Sequence, residues 1–129
     1  MLIIACVLAG LAAMVHVYIF VIESLQFEKP STLRTFGIRA EDAAVMRPWA
    51  FNQGFYNLFL AIGAAAGVVL VGAGNDGGIA LLVFTTASML AAATVLVGSD
   101  RRKLRAALVQ GAFPLLALVS TGLWWVSPS

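Results

Sequence analysis

The stretch RPWAFNQGFYNLFLA, residues 47–61, opens an apolar run that extends to residue 73 and includes four polar side chains, Asn52, Gln53, Tyr56 and Asn57. A membrane-spanning helix needs about 20 mostly apolar residues, so this run is long enough to cross a bilayer. A side-chain amide left without a partner in lipid costs free energy of the order of kcal/mol. The four polar groups are therefore expected to face other helices, which predicts a bundle.

Three further windows have the length and hydropathy of a span. Together with the first, they cover roughly residues 2–22, 49–73, 78–97 and 104–126. A composition of 61% hydrophobic and 11% charged residues, with a mean hydropathy of +0.97, excludes an ordinary soluble domain. Residues 1–129 are thus predicted to form a single transmembrane domain of the all-α class.

The basic residues are confined to two of the connections between spans. They are Lys29, Arg34, Arg39 and Arg47 in the first connection, and Arg101, Arg102, Lys103 and Arg105 in the third. The positive-inside rule places both basic loops in the cytoplasm and both termini outside. We therefore expect a multi-pass protein of the cell's inner (plasma) membrane. Basic loops beside membrane helices indicate the orientation of the protein and contact with anionic lipid headgroups, so they do not imply binding to nucleic acid.

The connections between the last three spans are too short for anything except an antiparallel return, which predicts a four-helix up-and-down bundle. The first connection has about 25 residues, with Pro30 and Gly37 as breakers, and a short interfacial helix is expected over residues 38–46. Gly63 and Gly67 form a GxxxG pattern that lets a second helix approach closely. That helix could come from the same chain or from another copy in a homo-oligomer.

The N-terminal apolar run is interpreted as a retained span, because no basic residues precede it and no small-x-small cleavage site follows. Cys6 is the only cysteine, which excludes an internal disulfide and a Cys-rich metal site. We interpret it as a packing residue. His16 and Glu23 alone fall short of the four ligands of a usual metal site, so no metal is predicted.

Polar residues of several spans are expected at one depth near the cytoplasmic surface. His16 lies about 9 Å from the cytoplasmic end of its span, and Asn52 to Asn57 lie at about 5–12 Å, with Gln110 and Thr94 at similar levels. His16 and Glu23 are seven residues apart and share one helix face. The spacing i, i+1, i+4, i+5 of Asn52, Gln53, Tyr56 and Asn57 predicts one stripe, turned away from the acyl chains.

This layer predicts a site for a small hydrophobic molecule, with acid-base or isomerase-type chemistry. His16 is the expected proton carrier, Glu23 tunes it, and Tyr56 donates to a developing oxyanion. The ligand-binding residues are predicted to be Asn52, Gln53, Asn57 and Gln110. Each amide, taken singly, is also explained by an interhelical hydrogen bond.

Three other functions remain open at this point. The chain could be a transporter for a small solute, although the outer half offers little polar lining. It could be a structural or partner-binding membrane subunit. It could also bind haem through His16, with Tyr18 or Tyr56 as the second axial ligand.

Two segments resemble the signature of a known family, His16 to Glu23 and the run NQGFYNLFLA from Asn52 to Ala61. The family consists of small bacterial membrane proteins of unknown function with four predicted spans and an NQG-x-YN-x-FLA motif. The resemblance covers essentially the whole chain, but Leu58 stands where the family commonly has Gly. It implies the four-span topology and marks the six polar residues of the two segments, without implying an activity. Sterol-type membrane isomerases and the haem-dependent styrene oxide isomerase are similar in architecture only.

Overall fold

The fold is known from a computed structural model that describes residues 1–127, so that residues 128 and 129 of the predicted domain 1–129 lie outside it. Within those residues the chain is helical and contains no strand. The helices are α1 (Leu2–Phe20), which continues into a π-helical turn (Val21–Leu25), α2 (Pro30–Phe36), α3 (Ala43–Gly72), α4 (Gly77–Ser99) and α5 (Leu104–Val126). The all-α class predicted from composition is confirmed.

Four of the helices are long and apolar enough to cross a membrane: α1 with its π turn, α3, α4 and α5. Each packs mainly against two others, α1 and α4 both lying against α3 and α5. The four therefore form a closed ring in chain order, which confirms the predicted up-and-down bundle.

The interior of the ring consists largely of alanine. Ala9, Ala12, Ala64 and Ala117 are completely buried, and the bulkiest apolar side chains packed beside them are Leu82 and Met89 of α4. Lipid tails are as apolar as these side chains, so helices in a membrane associate through close van der Waals packing. Small inner side chains let the four backbones approach closely enough for that packing.

The GxxxG pair of α3 is used inside the chain. A Cβ atom built on Gly67 would lie 2.9 Å from the backbone nitrogen of Leu82, and one on Gly63 would lie 2.6 Å from Cγ2 of Thr85. Both contacts are closer than a real Cβ tolerates, so α4 occupies the groove that these glycines leave. The sequence could not say whether the helix beside these glycines comes from the same chain or from another copy. It is α4 of the same molecule.

Helix α3 begins at Ala43, six residues before the predicted start at residue 49. Its 30 residues give a length of about 45 Å, well beyond a hydrocarbon core of about 30 Å. Counting back about 20 residues from Gly72 reaches Gln53. The first turns of α3 therefore extend into the headgroup region, where the largely exposed Trp49 is well suited to the interface.

The short helix of the first connection lies earlier than predicted. Residues 38–46 do not form it, because Ala40–Asp42 is a 3₁₀ turn and the following residues already belong to α3. The short helix is α2, in which Pro30 occupies the first turn, where its missing N–H costs nothing. Gly37 ends α2 in the left-handed conformation, at φ 65°. Thr32 and Leu33 are buried and hold α2 against the rest of the molecule.

The contact at Gly67 predicts a clear effect on stability. Gly67→Ala should lower the free energy of unfolding by about 1–3 kcal/mol, because the new methyl group meets backbone atoms of α4. Gly98→Ala is the matched control, since a Cβ there would have no neighbour within 4 Å. It should leave stability unchanged or raise it by up to about 1 kcal/mol. Unfolding in mixed detergent micelles measures both, and equal stabilities would contradict the packing described.

Candidate functional site

The half of the interior that lies toward the first and third connections is organised by the π turn that ends α1. A π turn adds one residue to a helical turn and is frequent at functional sites. Glu23 lies in the middle of this turn and is only 8% exposed, while His16 on α1 is completely buried. Both residues therefore point into the bundle, as their predicted common face requires.

Glu23 is hydrogen-bonded to α3. The amide Nδ2 of Asn57 donates to Oε2 of Glu23 at 2.9 Å and to the backbone oxygen of Gln53 at 3.2 Å. A carboxylate out of water is costly unless other groups compensate it, and an amide donor supplies part of that compensation. This buried bond links the end of α1 to the first half of α3.

Two neighbours that were not predicted as site residues complete the junction. The hydroxyl of Ser24 donates to the backbone oxygen of Phe51 at 2.8 Å. A Cβ on Gly54 would overlap Oγ of Ser24 and would lie 3.1 Å from Cβ of Glu23. Only glycine at this position lets the π turn lie this close to α3. The spacing of Gly54, Asn57 and Ala61 could have identified Gly54 as a site residue, because intervals of three and four keep the three residues on one helix face.

His16 has one satisfied and one unsatisfied nitrogen. Its Nδ1 donates to the backbone oxygen of Ala12 at 2.8 Å. Its Nε2 is buried and has no hydrogen-bond partner among residues 1–127. A neutral imidazole protonated on Nδ1 carries a lone pair on Nε2, which accepts a hydrogen bond or a proton. A buried polar atom without a partner costs about 1–3 kcal/mol, and this one needs an explanation.

The imidazole lies beside the alanine core. Ala12 and Ala13, one turn before His16, form a buried cluster with residues of α3 and α4. Along α1, His16 thus comes between this cluster and the junction at Glu23. Within the part of the chain that the structure describes, no hydrogen bond joins His16 to Glu23 or Asn57. The structure therefore presents two polar features on one inner face, a satisfied pair and an unsatisfied base.

The expected inward stripe on α3 is wrong for three of its four residues. Asn52, Gln53 and Tyr56 are exposed on the outside of the bundle, and only Asn57 is buried. The early start of α3 explains the difference for Asn52 and Gln53, because they lie where headgroups and water can satisfy an amide. Tyr56 is 60% exposed, as is usual for an aromatic residue of the interfacial belt.

The other two residues of the predicted polar layer, Gln110 and Thr94, differ in burial. Gln110 is half-buried on α5, next to Gly111, whose backbone lies against Ala93 of α4. Thr94 is exposed, and its hydroxyl donates to the backbone oxygen of Leu90 in its own helix at 2.9 Å. Of these two residues, only Gln110 is partly buried.

The site gives little support for a metal or haem. No group of three or more His, Cys, Asp or Glu side chains that could hold a metal ion occurs in residues 1–127. His16 is completely enclosed by the bundle, so a porphyrin, like any other ligand, could reach Nε2 only if the helices separated.

Loss of the Asn57 amide should destabilise the bundle. Asn57→Leu should lower the free energy of unfolding by about 1–3 kcal/mol, because Glu23 loses its donor. Asn52→Leu on the outer surface of the same helix is the control, with a change within about 0.5 kcal/mol. A double-mutant cycle of Asn57→Leu with Glu23→Leu isolates the coupling between the two side chains. A coupling energy of zero would show that the bond does not hold the helices together.

A model of a known protein family matches residues 10–121 of the chain, and its description is "Protein of unknown function (DUF1304)". No curated protein and no solved structure matches the chain. The matched segment includes His16, Glu23 and the whole NQGFYNLFLA run, on which the resemblance to a family of unknown function was based. The family match covers well over half of the sequence, and the chain therefore belongs to the DUF1304 family.

Proposed function

We propose that this membrane protein binds or transforms a small hydrophobic molecule in the cytoplasmic half of its bundle, with His16 as the proton acceptor. The observation that carries the proposal is the fully buried Nε2 of His16, which lacks a partner among the described residues. A buried imidazole that served only packing would leave this nitrogen unpaired, at a cost in free energy. A ligand with one hydrogen-bond donor, admitted by a separation of the helices, would remove that cost.

The surroundings of His16 define the chemistry of that ligand. The adjacent core consists of alanine methyl groups and Met89, with the partly buried Leu60 and Phe113 packed against it. Such walls favour a mostly apolar molecule, and the single lone pair on Nε2 favours one O–H, N–H or acidic C–H group on it. Proton transfer from that group to Nε2 would be the first step of acid-base or isomerase-type chemistry.

Glu23 and Asn57 have a supporting part in this proposal. Glu23, in the π turn, follows His16 by seven positions, or about 10 Å along the helix axis, which exceeds hydrogen-bond reach. A proton would therefore pass between the two residues through the ligand or water. Asn57 fixes the Glu23 carboxylate for that exchange. Gln110 remains a polar contact from α5, whereas we assign Asn52, Gln53 and Tyr56 to the outer surface.

A structural subunit is the second candidate. The bonds from Asn57 to Glu23 and from Ser24 to Phe51 join α1 to α3 and are sufficient for a purely structural role. Such a role leaves the Nε2 of His16 unexplained, which is why we place it second.

A transporter receives less support. In the outer half, the hydroxyls of Thr85, Thr86 and Thr121 donate to carbonyl oxygens of their own helices. These hydroxyl groups are thus already hydrogen-bonded, and a solute path would have to compete for them.

We also propose that both basic loops lie in the cytoplasm and that the protein resides in the bacterial inner membrane.

The test uses the protein purified from its native membrane and analysed intact by native mass spectrometry. We expect a small co-purified molecule in the unchanged protein and in the Asn52→Leu control. His16→Ala should lose it, because a missing hydrogen bond of about 1–3 kcal/mol lowers affinity about 5- to 150-fold. His16→Ala should also remain folded. Equal occupancy in both variants would contradict the proposal, and so would a protein that carries no molecule while His16→Ala merely lowers its thermal stability.

A further inference from the structure

A second feature lies outside the bundle interior, where the chain leaves α1 and enters α3. An open cleft of about 380 Å³ occupies this corner, lined by residues that include Leu25, Gln26, Glu28, Lys29 and Arg47. None of these five residues belongs to the His16 site proposed above. The cleft combines cations, an amide and an apolar edge, which is a composition that favours an amphipathic ligand.

The charges of the cleft leave one positive charge in excess. Lys29 and Arg47 contribute two cations, and Glu28 contributes one anion. Nε of Arg47 lies 3.7 Å from Oε2 of Glu28, beyond hydrogen-bond distance, and both side chains are more than half exposed. An exposed ion pair of this kind contributes little, so the guanidinium keeps N–H groups for another anion. Lys29 forms no ion pair within residues 1–127. The excess matches a ligand with one negative charge.

The walls of the cleft are held in place by buried neighbours. Phe27 lines the cleft and is only 5% exposed, and Leu33 of α2 is 7% exposed. A preformed site has less conformational entropy to lose on binding than a mobile loop.

The cleft lies at the depth of the headgroups. Arg47 is two residues before the exposed Trp49, a residue type that concentrates at the membrane interface. Leu25, at the end of the first span, is 64% exposed on the edge of the cleft. A molecule with its anion between Lys29 and Arg47 would thus have its apolar part beside Leu25 and the acyl chains of the bilayer.

We infer that this cleft binds the headgroup of an anionic phospholipid. Arg47 donates two parallel N–H groups to the phosphate oxygens, Lys29 adds a compact charge, and Gln26 offers an amide to the polar end of the headgroup. A phosphodiester carries one negative charge, as the cleft requires, whereas free phosphate at neutral pH carries more than one. The apolar edge at Leu25 also favours a lipid over a soluble anion.

The experiment compares lipid retention by variants reconstituted in nanodiscs of phosphatidylglycerol and phosphatidylcholine, then released and analysed by native mass spectrometry. In the double variant Lys29→Gln with Arg47→Gln, the preference for phosphatidylglycerol should fall at least about tenfold, which corresponds to about 1.4 kcal/mol. Glu28→Gln should increase the preference, because it removes the competing carboxylate. The double variant Arg101→Gln with Arg102→Gln is the control, since it also removes two positive charges and both arginines are exposed in the other basic loop.

Two results would overturn the inference. If the control with Arg101→Gln and Arg102→Gln lowers the preference as much as the cleft variant does, the selectivity arises from the overall basic charge and not from the cleft. If inorganic phosphate displaces the retained phosphatidylglycerol at millimolar concentration, the cleft is a site for free anions. Circular dichroism should show unchanged helicity in all variants, because the substituted side chains are exposed. The lipid test leaves His16 intact, so its failure and that of the proposed function are independent.

Discussion

The hydrogen bond from Asn57 to Glu23 is the interaction on which the polar interior of the bundle depends. It fixes the rotation of α1 against α3, since it holds Glu23 toward α3 in a place where Gly54 leaves room. With Glu23 turned inward, the periodicity of the helix also turns His16 inward, seven residues earlier on the same face. The buried imidazole and the bond near the end of the helix thus lie on the same inner face, which the buried alanines of α1 share.

Small residues of the interior form the surroundings of the His16 imidazole. Alanine and glycine let the four backbones approach, and the groove of Gly63 and Gly67 is filled by α4 of the same molecule. The polar groups that stabilise the bundle are satisfied, including the threonine hydroxyls bonded within α4 and α5. Against this background the Nε2 of His16 is exceptional among the described residues, and the ligand proposed above would satisfy it.

Much of the fold could be predicted because spans and short links are local properties of the sequence. Apolar length identified the four spans, and link length determined their antiparallel order. The orientation of α3 could not be predicted in this way. A spacing of i, i+1, i+4, i+5 predicts that four residues share a stripe, but it does not say whether that stripe faces the bundle or the lipid. Because α3 begins before the span does, Asn52 and Gln53 lie near the headgroups. Gly54 escaped notice because its role depends on Ser24, 30 residues earlier in the chain. The position of α2 was missed because Pro30 begins a helix there and does not break one.

The central claim is that His16 presents an unprotonated, unpartnered Nε2 to the interior of the bundle. His16 is the only histidine in the sequence, so nitrogen-15 labelling of histidine yields the signals of one ring. In the ligand-free protein, the account predicts a proton on Nδ1 and none on Nε2, with the Nε2 resonance at the frequency of a nitrogen without a hydrogen bond. A proton on Nε2, or an Nε2 resonance shifted by a strong hydrogen bond, would contradict it.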